Sequence, residues 1–141
     1  VNVIHGTSDG SVTSLSFAAD SLSSLAASTD AESGLNDDVV RRRGQQRCAV
    51  GYSNGRILIT SCSEQPGPSH GEGSPLIFQG HRSGIGCLAF DESGLRLASG
   101  GQDSVVILWD LVNECGLFRL RGHKGSITQC AFIPGRNILV T

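Results

Sequence analysis

His81, Ser99 and Asp103 supply the three residue types of a nucleophilic hydrolase: an imidazole to take a proton, a hydroxyl to attack and a carboxylate to orient the ring. Their surroundings argue against that chemistry. Ser99 lies in the apolar stretch LASGG, not on the exposed strand-to-helix elbow that a nucleophilic serine occupies. Asp103 stands in the glycine turn GGQDS between two apolar runs, and Trp109, the single tryptophan, follows six residues later. A buried indole N–H and a partly buried carboxylate each demand a partner, because leaving one unpaired costs about 1–3 kcal/mol. These residues therefore read as structural. A second set, Cys62 with His70 and Glu72, has metal-ligating types but lies in a Pro/Gly-rich stretch with an incomplete ligand count. The sequence also lacks GxxxxGK[ST], HExxH and carboxylates paired at helical spacing. No catalytic residue, metal or cofactor is expected, and an enzyme is not.

The elements that must position these residues follow from a repeat. GHRSGIGCLAFDESGLRLAS from Gly80 and GHKGSITQCAFIPGRNILVT from Gly122 align without gaps, which sets His81 and His123 42 residues apart. A period near 40 residues marks a repeat architecture. Within the unit the apolar residues form short runs, Ile85 to Phe90, Leu95 to Ala98, Val105 to Trp109 and Leu117 to Leu120, bounded by Gly, Ser, Asp or Asn. Each run is of strand length, and the links DESG, GGQDS and LVNECG suit antiparallel hairpins. The pattern predicts four antiparallel strands per unit and no helix.

A degenerate earlier unit precedes it. CAVGYSNGRILITS from Cys48 overlies LASGGQDSVVILWD from Leu97 at a constant offset of 49, and SVTSLSF from Ser11 overlies SITQCAF from Ser126 at 115. Two insertions stretch this unit: residues 18–46, rich in Ser, Ala and Asp and ending in an Arg run, and residues 63–75, with three of the four prolines. Both are expected to be disordered or flexible surface segments. The organisation is thus a degenerate unit over 1–79, a complete unit over 80–121 and half of the next over 122–141.

Composition bounds the rest. The 141 residues are 38% apolar and 17% charged, with no stretch near the roughly 20 residues of a membrane span and no secretory signal. Five cysteines without CxxC pairs favour buried free thiols in a reducing compartment over a disulfide framework. A formal charge of −2 gives no wholesale nucleic-acid footprint, so any RNA contact must be local or indirect. The chain has no methionine and stops within an apolar run, as expected of a piece of a longer protein.

A unit that opens with Gly80-His81, carries LASGGQD at Leu97 to Asp103 and closes with VVILWD at Val105 to Asp110 resembles the WD-repeat family of β-propellers. The resemblance implies an all-β fold of four-stranded antiparallel blades. It also implies a structural tetrad in which Asp103 accepts from His81, His81 bonds Ser99, and Ser99 meets the Trp109 indole. In the next unit His123 and Thr141 take two of these positions. In the earlier one Ser8, Val50, Asn54 and Thr60 replace His, Ser, Asp and Trp, so that blade is expected to hold by packing alone. Propellers use about 4–8 blades, and this chain supplies about two and a half, so open strand edges are expected at its ends.

WDLVNECGLFRLRGHKGSITQCAF and CAVGYSNGRILI further resemble the N-terminal propeller of nucleolar WD-repeat proteins in the UTP-B subcomplex of the small-subunit processome. That resemblance implies a non-catalytic nucleolar scaffold for 18S ribosomal RNA maturation, with other processome proteins, small nucleolar RNA and pre-ribosomal RNA as partners and no membrane or small-molecule substrate. Function would then reside in rim turns that display side chains. Arg82 and Lys124 occupy the same position on adjacent blades, beside Gln102 as a third rim candidate; the bland alternative is that they are solvated turn charges. Arg41, Arg42, Arg43 and Arg47 read either as a basic patch or as a solvated loop end beside Asp37 and Asp38. The competing scaffold, a ubiquitin-ligase substrate receptor, often carries Arg two residues after the Asp of WD, where this chain has Val112.

Overall fold

Short apolar runs between turn residues become strands because a period of two lets each run cover its sheet's neighbour on both faces. The computed structural model describes residues 10–18, 47–61 and 74–141. Two four-stranded antiparallel sheets and a hairpin follow one another along the chain. The first sheet is β1 (Val12–Phe17), β2 (Arg47–Tyr52), β3 (Arg56–Ser61) and β4 (Leu76–Gln79), in that order. The second is β5 (Ile85–Phe90), β6 (Arg96–Gly101), β7 (Val105–Asp110) and β8 (Cys115–Arg121). The hairpin pairs β9 (Ala131–Ile133) with β10 (Ile138–Val140). The described residues contain no helix.

The two sheets repeat each other in detail. Phe17 faces Cys48 as Phe90 faces Leu97, and the first strands carry the same irregularity, between Val12 and Ser14 and between Ile85 and Cys87. Carboxylates close the turns of the second sheet. Asp91 Oδ1 accepts the Leu95 and Arg96 amides at 3.0 Å each. Asp110 Oδ1 accepts those of Val112 and Asn113 at 2.8 and 3.0 Å, so the acid that ends β7 folds the link to β8.

The main core lies between the sheets. Ala49, Ile57, Ile59 and Phe78 pack against Ile85, Leu88, Leu97, Val105, Ile107, Trp109 and Leu111. Each such aliphatic side chain contributes about 1.5–3 kcal/mol on burial, and the Phe78 and Trp109 rings sit 4.8 Å apart at 34°. A smaller cluster, Cys87, Val106 and Ile127 with Cys130 and Leu139, joins the second sheet to the third repeat. The Ile127 amide to Gly101 O at 3.1 Å and the Gly135 amide to Glu92 Oε2 at 2.8 Å reinforce that seam.

Three expectations change. Ala18 is not part of a loose insert: it is buried, and its amide donates to Arg47 O at 2.9 Å, closing the β1–β2 ladder. Arg47 is not part of an exposed basic patch, because it starts β2 and is 8% exposed. The first blade does not hold by packing alone. Ser53 N donates to Ser11 O at 2.9 Å, Ser11 N to Ser53 Oγ at 3.1 Å, and Asn54 Oδ1 accepts Arg56 N at 3.1 Å. The rest of the two insertions (19–46 and 63–73), with Ser8, Arg41, Arg42, Arg43, Cys62, His70 and Glu72, lies outside the described residues. Of the described cysteines, Cys48 and Cys87 are buried free thiols, Cys130 is half-buried and Cys115 is exposed.

Candidate functional site

The turn between β6 and β7, the strap before β5 and the centres of β6 and β7 converge at one corner of the second sheet. There the sequence's four polar residues lie in a hydrogen-bonded row. His81 Nδ1 is 3.0 Å from Asp103 Oδ1, His81 Nε2 is 2.7 Å from Ser99 Oγ, and the Trp109 indole N–H donates to Ser99 Oγ at 2.8 Å. With the proton on Nδ1 donated to Asp103, Nε2 accepts from the Ser99 hydroxyl, and that oxygen accepts from the indole. Every donor and acceptor in the row is then matched.

Backbone completes the site. The Arg82 amide donates to Asp103 Oδ2 at 2.9 Å, fastening the strap to the turn, and the Val105 amide lies 3.4 Å from Oδ1. Burial by itself raises the Asp103 carboxyl, but the Arg82 amide, the His81 ring and the Val105 amide outweigh it and hold it below the usual carboxylate value. Asp110 is held low as well, chiefly by the Asn113 amide. The Ser99 hydroxyl is 0% exposed, so no substrate reaches the one oxygen that a hydrolase would need.

The third repeat places His123 Nε2 2.8 Å from Thr141 Oγ1, with both residues exposed. In the first sheet Val50 is fully buried at the Ser99 position and Asn54 caps its own turn at the Asp103 position. Arg82, Gln102 and Lys124 are all exposed. Arg82 lines a cleft of about 230 Å³ whose walls include Asp103, Arg119, Arg121 and His123; Lys124 and Gln102 are not in its lining. No group of three or more His, Cys, Asp or Glu among the described residues is placed to hold a metal.

Sequence reasoning assigned no role to three members of this corner. A Cβ on Gly101 would run into His81 Nδ1 and Asp103 Oδ1, and one on Gly80 would stand 2.7 Å from the indole edge, so both positions require the bare backbone. Arg119, from β8, donates its guanidinium to Gly80 O at 2.7 Å and pins the strap from outside. The doubled glycine of SGGQD and the Gly of Gly-His were the available signals; nothing in the local sequence announces Arg119.

Comparison with known proteins agrees with this geometry. The profile of the family described as WD domain, G-beta repeat, matches residues 74–110 and 115–141. Cilia- and flagella-associated protein 52 of Homo sapiens is 43% identical over 70 residues, 46% of this chain and 11% of that protein. The U5 small nuclear ribonucleoprotein 40 kDa protein of Dictyostelium discoideum is 30% identical over 109 residues, 77% of this chain and 30% of its own length. The chain thus spans less than a third of either relative. The solved structure of U3-55K superposes with a TM-score of 0.64 at 18% identity, covering 98% of this chain and 34% of that one, a likeness of fold.

Proposed function

From the premise that this chain is built of WD40 repeats, two four-stranded blades and a hairpin of an incomplete β-propeller, we propose a non-catalytic scaffold that acts within a ribonucleoprotein assembly. The small-subunit processome of the nucleolus is the assembly proposed, with processome proteins, small nucleolar RNA and pre-ribosomal RNA as partners, met directly or through other proteins. The observation that carries this reading is the closed hydrogen-bond row. His81, Ser99, Asp103 and Trp109 satisfy one another, leaving no free acid, base or nucleophile at the site, while exposed turn residues remain for contact. We assign the row a structural role and Arg82, Gln102 and Lys124 a role in rim contact. The ribonucleoprotein part draws support from the U5 relative, whose alignment runs over 77% of this chain, and from the NECGL link.

The test is capture of the tagged full-length protein from cells, with bound RNA sequenced and bound proteins identified. Small nucleolar RNA and 18S precursor together with processome proteins is the expected yield. Cullin and adaptor proteins without those RNAs would overturn the assignment in favour of a ubiquitin-ligase receptor.

A further inference from the structure

We infer that the cleft beside Asp103 is a binding site for a phosphomonoester, carried by a phosphorylated segment of a partner protein. Its walls bring Arg82 from the strap, Arg119 and Arg121 from β8, and His123 beyond it around about 230 Å³. The register puts Arg119 opposite Ile107 and Arg121 opposite Val105, so both arginines project from one face of β8, while Phe118 and Leu120, opposite Leu108 and Val106, take the other. The apolar face is the one turned toward the third repeat, because Val106 packs with Ile127. The arginine face is turned toward the strap, where Arg119 already holds Gly80 O. The cleft is therefore built almost entirely by the complete blade and its strap.

Charge in the cleft is unbalanced. Three guanidinium groups face a single carboxylate, and Asp103 is committed to the Arg82 and Val105 amides and the His81 ring. Among the described residues the Arg82 and Arg121 guanidinium groups make no hydrogen bond or ion pair. Three arginines against one carboxylate leave an excess of positive charge that suits a compact dianion, since each fork offers paired N–H donors and a phosphomonoester carries about −1.5 to −2 at pH 7. RNA fits less well. The lining has no Phe, Tyr or Trp, its one imidazole, His123, is paired with Thr141, and the chain as a whole carries −2. A peptide fits better, because β8 is the edge strand of its sheet, and an extended segment can lie along that open edge with its phosphate in the cleft.

This inference stands apart from the processome reading: it concerns one cleft and needs no particular complex, so either can fail alone. Titrate the full chain by fluorescence anisotropy with a labelled short alanine peptide bearing one central phosphoserine, with its serine and glutamate counterparts, and with oligouridylate. The phosphopeptide should bind best. The pair Arg82→Ala with Arg121→Ala should weaken it by at least about tenfold, Arg82→Lys should weaken it less, and the exposed Arg136→Ala, outside the cleft, should leave it unchanged. Unchanged Trp109 fluorescence in these variants certifies the fold, which their side chains do not support through any bond. Phosphopeptide binding indifferent to both arginines, absence of binding, or arginine-dependent binding of oligouridylate in its place would each overturn the proposal.

Discussion

The first and second blades share strand order, the β1–β2 and β5–β6 register and the bulge of their first strands, yet only the second contains the polar row. Where the second has Ser99, His81 and Trp109, the first has a fully buried Val50 in a cluster with Cys48 and Tyr52, and a half-buried Thr60. Its turn is fixed instead by Asn54, Ser53 and Ser11. The difference teaches that blade geometry comes from apolar alternation, the bulge and turn capping, and that the row adds something else. It ties the strap, the turn and two strands of a blade to one another through side chains.

If that division is right, substitutions at matched positions will separate the blades. The largest effect is expected for Trp109→Ala, a loss of about 3–5 kcal/mol in urea unfolding, against less than about 1 kcal/mol for Thr60→Ala. A reciprocal exchange comes next. Ser99→Val strips partners from the indole and the imidazole and should cost about 2–4 kcal/mol, and Val50→Ser buries a hydroxyl among apolar groups and should cost about 1–3 kcal/mol. A neutral Val50→Ser would mean that the first blade has room for the row after all.

Acid should also divide them. The Asp103 carboxyl is depressed in the folded state, so the stability it contributes is complete above the unfolded value of about 3.9 and is lost as pH falls through the lower folded value. Hydrogen exchange read blade by blade below pH ~4 should show the β6–β7 turn opening while the β2–β3 turn, capped by the uncharged Asn54, holds. Asp103→Asn should abolish that contrast. The smallest effect belongs to Ser104, held at a φ of 62° in the turn. Ser104→Gly should raise stability by a few tenths to about 1 kcal/mol in the same urea titration.

Much of this was legible beforehand. The strands announced themselves as short apolar runs between Gly, Ser, Asp and Asn, and a 42-residue period pointed to His81 and His123. What stayed hidden depends on distance in space. The bare backbone at Gly101 matters because His81 and Asp103 crowd it, Arg119 matters because its reach ends at Gly80 O, and Arg47 looked like loop charge until β2 was seen to enclose it. Ser11 and Ser53, 42 residues apart in sequence, carry no pattern that separates them from the other serines of a Ser-rich chain.

Arg82, just after the chain crosses into the second blade, and Gly122, just after it leaves, line the same small cleft. The two ends of that blade's chain therefore meet at one corner, so the path of the chain through the second blade returns close to where it entered before the third repeat begins.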